Sequence, residues 1–154
     1  MKHDAVMMIA RIHEQAQKML RGELTDAGLS GVAPSHGDVL AYLFARGAAT
    51  MQELAAFAHR TKPTTTVLVD KLEERGLVRR TASPDDARRT VVTLTADGTR
   101  LRGAFAAISR RLVARIYGAL DPAESETLER LLAKVLANLE AKGTQTHTTK
   151  GTGK

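Results

Sequence analysis

The sequence predicts a mainly α-helical chain with one small β-hairpin, and three observations carry that expectation. Long stretches towards both ends place apolar residues at three- and four-residue spacing. Between Leu77 and Thr95 the period changes, and short β-branched segments flank a run of turn formers. The apolar material is aliphatic: hydrophobic residues make up 43% of the 154 residues, aromatics 3%, and Trp is absent. That is enough to bury a core, and it suits helices packed through Leu, Val, Ile, Ala and Met.

Residues 5–27 set Ala5, Met8, Ile9, Ile12, Ala16, Met19, Leu20 and Leu24 on one helix face, with Gly28 as the stop. A second helix is expected to start at Pro34-Ser35. Ser35 would cap it, Asp38 would suit the positive end of its dipole, and Val39, Leu40, Leu43 and Phe44 would face inward before an end near Gly47. Thr50-Met51-Gln52-Glu53 has the form of a capping box and opens a short helix with Leu54, Ala55 and Ala58 inside. Thr61-Lys62-Pro63 opens the next, because a proline's missing N–H would have no intrahelical partner in a first turn. Here Thr65, Leu68, Val69 and Leu72 share the inner face, and Gly76 ends the helix.

Leu77–Ser83 and Thr90–Thr95 read as two strands of a hairpin, and Ser83-Pro84-Asp85-Asp86-Ala87-Arg88-Arg89 as its charged tip. Thr95 and Asp97 start a long helix to about Gly118. Asp121-Pro122-Ala123-Glu124 starts the last one, whose stripe is Leu128, Leu131, Leu132, Val135, Leu136 and Leu139. From Gly143 to Lys154 the chain is Gly/Thr/Lys-rich, the composition of a disordered tail.

The formal charge is +6 and the pI about 10. Lys142, Lys150 and Lys154 contribute half of that excess, so net charge is a weak argument for a nucleic-acid partner. Distribution says more. Arg60 to Arg102 holds ten basic residues against six acidic ones, and Gly98 to Leu120 holds five arginines and no acid. Local basic patches are what phosphate binding requires, although solvated helix faces have the same look.

Several classes of function lack their residues. With no cysteine there is no disulfide, Cys-ligated zinc or thiol redox chemistry. The chain shows no Gly-rich phosphate loop, nucleophile elbow or paired-His metal site, so neither an enzyme nor a cofactor is expected. Asp85-Asp86 is a carboxylate pair, but flanking arginines make it a hairpin tip. His13, His36 and His59 have no metal-ligand spacing, and Met7, Met8 and Met19 read as packing residues. No apolar run approaches the roughly 18 residues that span a bilayer, and no leader pattern opens the chain, so a cytoplasmic protein is expected.

The order of elements over residues 50–95 is that of a helix-turn-helix followed by a β-wing, with the short turn Ala58-His59-Arg60-Thr61 between crossed helices. The second helix of such a pair offers its N-terminal part to the major groove. That part is Lys62, Pro63, Thr64, Thr65, Thr66 and Val67. Consecutive threonines are poor helix formers, which points to a use for their hydroxyls and methyls on phosphate, base edges or thymine methyls; the plainer alternative is that they cap the helix and solvate its face. The alternative is a winged helix that binds only protein. An apolar outer face would favour it, whereas Lys62, Thr64, Thr66 and Lys71 favour DNA.

These residues resemble the MarR family of winged-helix regulators. The resemblance runs from Ser35-His36-Gly37-Asp38 through Met51-Gln52-Glu53-Leu54-Ala55 and Thr64–Val78 to the wing, Ser83-Pro84-Asp85-Asp86-Ala87-Arg88-Arg89-Thr90-Val91-Val92-Thr93-Leu94-Thr95. It implies a cytoplasmic homodimeric regulator, most often a repressor, that grips a pseudo-palindromic double-stranded DNA site. Residues 1–33 would be a dimerisation helix, 34–96 the DNA-binding lobe, 97–142 the long and dimerisation helices, and 143–154 the tail. Major-groove and phosphate contacts would come from Arg60, Lys62, Pro63, Thr64, Thr66, Val67 and Lys71, with Arg79 and Arg80 as further phosphate contacts. From the wing, Arg88 would enter the minor groove, oriented by Asp86 and flanked by Arg89. One departure is Val67, where many members carry Arg or Lys, so a phosphate contact would fall to Lys71 or Lys62. The resemblance also implies a small aromatic or anionic effector between lobe and dimerisation helices; from the order of the elements, such a crevice would be lined near His13, Gln17, His36, Tyr42 and Arg111.

Overall fold

Helix α1 spans Asp4–Asp26, and Gly28 ends it in the left-handed region at φ 74°, where a side chain would be strained. The structure, a computed structural model, describes residues 4–142; the tail expected from Gly143 onward lies outside the described residues. By internal contacts the chain divides into one unit up to Leu112 and a second from Val113.

In the first unit a 3-10 turn at Pro34–His36 leads into α2, Gly37–Arg46. This corrects the expected cap. Ser35 lies inside the 3-10 turn, and the imidazole Nδ1 of His36 does the capping by accepting from the Ala33 N–H at 2.9 Å. A short strand β1, Ala48–Thr50, then precedes α3, Met51–Phe57. The expected capping box is present. Glu53 N–H donates to Thr50 Oγ1, and Glu53 Oε2 accepts from the Thr50 N–H at 2.7 Å. The Thr50 N–H, and after it the Thr50 hydroxyl that donates to the same Oε2 at 2.8 Å, hold the Glu53 carboxyl below its ordinary pKa.

Helix α4 is Lys62–Glu74, with Thr65, Leu68, Val69 and Leu72 buried as the periodicity predicts. Strands β2, Val78–Ala82, and β3, Thr90–Leu94, follow. The sheet has three strands, not the two of a lone hairpin. The order is β1-β3-β2, all antiparallel, with Ala49 opposite Val92 and Arg80 opposite Val92 on the other side. One core joins α2, α3, α4 and this sheet through Val39, Leu40, Leu43, Leu54, Val69, Leu72, Val78 and Val92. Phe44, half-buried, packs at the edge of this core on Phe105, ring centroids 5.8 Å apart.

The long helix expected from Thr95 is two helices, α5, Ala96–Arg100, and α6, Arg102–Tyr117. Leu101 divides them, its N–H turned onto Gly98 O at 3.1 Å in a tighter i to i+3 bond. Thr95 fixes the start. Its hydroxyl donates to Gly76 O at 2.6 Å and accepts from the Gly98 N–H at 3.0 Å.

The second unit holds the end of α6 and α7, Pro122–Lys142. Asp121 and Glu124 form a reciprocal cap at 2.8 and 2.9 Å, and Tyr117 donates to Glu129 at 3.0 Å.

Candidate nucleic-acid interface

The turn between α3 and α4 is closed by Arg60 N–H on Ala55 O at 3.0 Å, and it takes His59 to φ 49°. A non-glycine residue there is uncommon, though histidine tolerates it better than most. This sharp turn leaves Arg60 exposed at the threshold of α4. Along α4, Lys62, Pro63, Thr64, Val67 and Lys71 are exposed and Thr66 is half-buried, while Thr65 is wholly inside. The expected outer face is thus present on one side of one helix.

The threonine hydroxyls have distinct states. Thr61 Oγ1 accepts the Thr64 N–H and donates to Thr64 Oγ1 at 2.9 Å. Thr64 therefore keeps its own hydroxyl proton for an outside acceptor such as a phosphate. Thr66 instead donates to Lys62 O at 3.0 Å, which leaves its lone pairs free to accept from a base amino group. The two hydroxyls thus present a donor and an acceptor from the same helix.

At the wing tip, Ser83 N–H donates to Arg89 O at 2.7 Å and Arg89 N–H to Asp86 O at 2.9 Å. Asp86 Oδ1 accepts from the Arg88 N–H at 3.0 Å and from Arg88 Nε at 3.5 Å. The Arg88 side chain is otherwise 93% exposed. An exposed pair of this kind adds little stability. Its effect is conformational, holding the turn and the guanidinium stem together at the tip. Arg89 is exposed beside it.

Arg80 departs from its expected role. Its guanidinium is held by Asp70 at 2.5 Å and by Glu73, while its backbone N–H donates to Glu73 Oε1 at 2.9 Å. It ties β2 to the outer side of α4 and is not free for phosphate. The sequence contained a hint: Asp70 and Glu73 are one turn apart, so they share a helix face. Arg79, next to it on the strand, is exposed.

The five residues of the expected effector crevice have separate surroundings. His36 is buried with Nδ1 engaged, and its pKa is lowered, first by burial and then by the charge of Lys71. Tyr42 packs edge-on against Phe57, centroids 5.1 Å apart. Arg111 is paired with Glu23 at 2.5 Å. His13 is exposed and Gln17 half-buried. None of the five lines the cavity that opens beside α1. That cavity is bounded by Arg21, Leu24, Thr25, residues 30–34 and Arg75, none of which the sequence marks as a ligand residue. Among the described residues no cluster of three or more His, Asp or Glu could hold a metal.

Comparison with known proteins agrees with this geometry. The profile of the MarR family matches residues 33–90, the span of the lobe from the 3-10 turn to the first residue of β3. An HTH-type transcriptional regulator of Bacillus subtilis, YkoM, is 27% identical over 132 residues, 85% of this chain and 86% of that protein. The HTH-type transcriptional repressor IacR of Pseudomonas putida is 32% identical over 102 residues, 66% of this chain and 61% of that repressor. Among solved structures, the S. aureus MepR–DNA complex superposes with a TM-score of 0.74 at 28% identity, covering 90% of this chain and 96% of that one.

Proposed function

We propose that the chain is a member of the MarR family, whose profile matches residues 33–90, and that it is a homodimeric transcriptional regulator that binds a pseudo-palindromic double-stranded DNA site as a repressor. The observation that carries this reading is the shared exposure of two reading heads on one lobe. Lys62, Thr64, Val67 and Lys71 stand out from α4, and Arg88 stands out from the wing. A helix of this kind fits the major groove, and an extended guanidinium fits the negative potential of a narrow minor groove. Arg60, Pro63, Thr66 and Arg89 flank these contacts, and Asp86 positions Arg88. A protein-only docking role would call for a continuous apolar outer face, and on α4 Val67 stands between charged and hydroxylated neighbours.

Dimerisation rests on two stripes. On α1, Val6, Met7, Met8, Ile9 and Ile12 are exposed, and on α7 Leu131, Leu132, Val135, Leu136 and Leu139 are exposed. Apolar stripes of that length on soluble helices mark contact surfaces, and a two-fold partner matches the symmetry of paired half-sites. The chemistry of the reading is recognition, not turnover. No helix among the described residues is long and apolar enough to cross a membrane; a cytoplasmic location belongs to the same proposal, as does modulation by a small aromatic or anionic effector.

Selection of bound duplexes from a random DNA pool tests the proposal. A two-fold symmetric motif whose half-sites lie about one helical turn apart is expected. Recovery of no enriched motif would overturn it.

A further inference from the structure

We propose that Val67 is a specificity-determining residue of α4 and reads the 5-methyl group of a thymine in each half-site. The inference rests on the DNA-binding reading given above and names a base which that reading leaves open. Val67 is the one large apolar side chain that α4 turns outward: it is 51% exposed, while Leu68, Val69 and Leu72 are buried. On an exposed helix position alanine serves the helix better than valine, so the fold itself does not account for the choice.

Its place on the helix is central. At about 3.6 residues per turn, Pro63 and Val67 lie one above the other along the middle of the outward face, with Thr64 and Lys71 on one flank and Thr66 on the other. The same row continues into Asp70 and Glu74, whose carboxylates are repelled by phosphates. Val67 is therefore the last member of the row before the acids begin, in the N-terminal part of the helix that meets base edges.

Chemistry then limits what this side chain can recognise. Valine has no donor or acceptor, so it gains nothing from the hydrogen-bonding edges of guanine, adenine or cytosine. In the major groove only thymine adds an apolar group, the methyl on C5. The branched side chain is also stiff: in a helix it keeps essentially one χ1 rotamer, so contact costs little side-chain freedom, whereas a long basic residue would lose more. Where Thr64 and Thr66 offer hydrogen bonds, Val67 offers a fixed apolar surface between them.

The test uses the duplex recovered from the pool selection, with each thymine of a half-site replaced in turn by deoxyuridine. That change deletes one methyl and leaves every hydrogen-bonding edge in place. Titration of the full chain should find a thymine in each half-site whose replacement weakens binding about fourfold, and about fifteenfold when both half-sites are changed, the worth of one and of two methyl groups taken out of water. Val67→Ala should bind the thymine and uracil duplexes alike, while its thermal melt stays that of the parent. Equal affinity of the parent for every uracil duplex would overturn the assignment. So would discrimination that survives Val67→Ala, or that is lost with Thr64→Ser instead, which deletes the threonine methyl and keeps its hydroxyl. Each of these results is read on a duplex that the chain binds, so it leaves the DNA-binding proposal standing; recovery of no duplex would overturn both.

Discussion

Two arginines of the same hairpin have opposite surroundings, and the difference sets what each does. Arg88 faces solvent beside one acceptor, whereas Arg80 is gripped by two carboxylates. Arg88→Ala should weaken DNA binding by about 1–3 kcal/mol with the thermal melt unchanged. Asp86→Ala should weaken it less, and the double variant should lose no more than Arg88→Ala alone, because the carboxylate acts only through that guanidinium. Strictly additive losses in a binding titration would contradict this. Arg80→Ala should lower the melting temperature and the affinity while leaving the slope of affinity against salt unchanged, since it touches no phosphate; Lys71→Ala should lower the slope by about one counterion. His36 supplies a pH dependence. Burial first, then the Lys71 charge, lowers its pKa in the folded chain below the ordinary 6.5. Below that value the unfolded chain takes up the proton first, so stability is full above about pH 6.5 and falls as pH drops towards the folded value. Melts between pH 7.5 and 5.5 should show this slope, and His36→Gln should flatten it.

At the scale of elements, strong periodicity and caps made most of the fold legible before any coordinates. The inner face of α4 and the caps at Thr50 and Asp121 stand where the sequence puts them. Strand β1 was illegible because three residues are too few to show alternation, and its partner, Thr93 opposite Ala48, is far along the chain. The Arg80 clamp was missed for a related reason: sequence shows that Asp70 and Glu73 share a face but not which strand passes it. Gly98, at the start of α5, sits against the Leu77 carbonyl, where a Cβ would lie 1.9 Å from the oxygen. Gly98→Ala should therefore destabilise by about 1–3 kcal/mol, read as a shifted denaturant midpoint, because backbone rather than a flexible side chain must move. Thr95→Ala should cost about 1 kcal/mol or more, as it removes a cap and the bond to Gly76 O together.

For the molecule as a whole, the apolar stripes on α1 and α7 predict that sedimentation at micromolar concentration finds a dimer and no stable folded monomer. A dimer that brings Arg60, Lys62, Lys71, Arg79 and the wing arginines to phosphate should lose roughly a thousandfold in affinity between about 50 and 200 mM salt. A nearly flat response in a binding titration would favour a protein partner instead. The junction at Thr50 has another consequence. One residue is both the last of β1 and the cap of α3, so strand and helix meet with no slack between them. An inserted residue there would shift the strand's register or uncap the helix, whereas the exposed tip between Pro84 and Ala87 has room to grow. Length variation among natural variants of this lobe should accumulate at the wing tip and be purged at the Thr50 junction, so that the reach of the wing can evolve while the seat of α3 and α4 stays fixed.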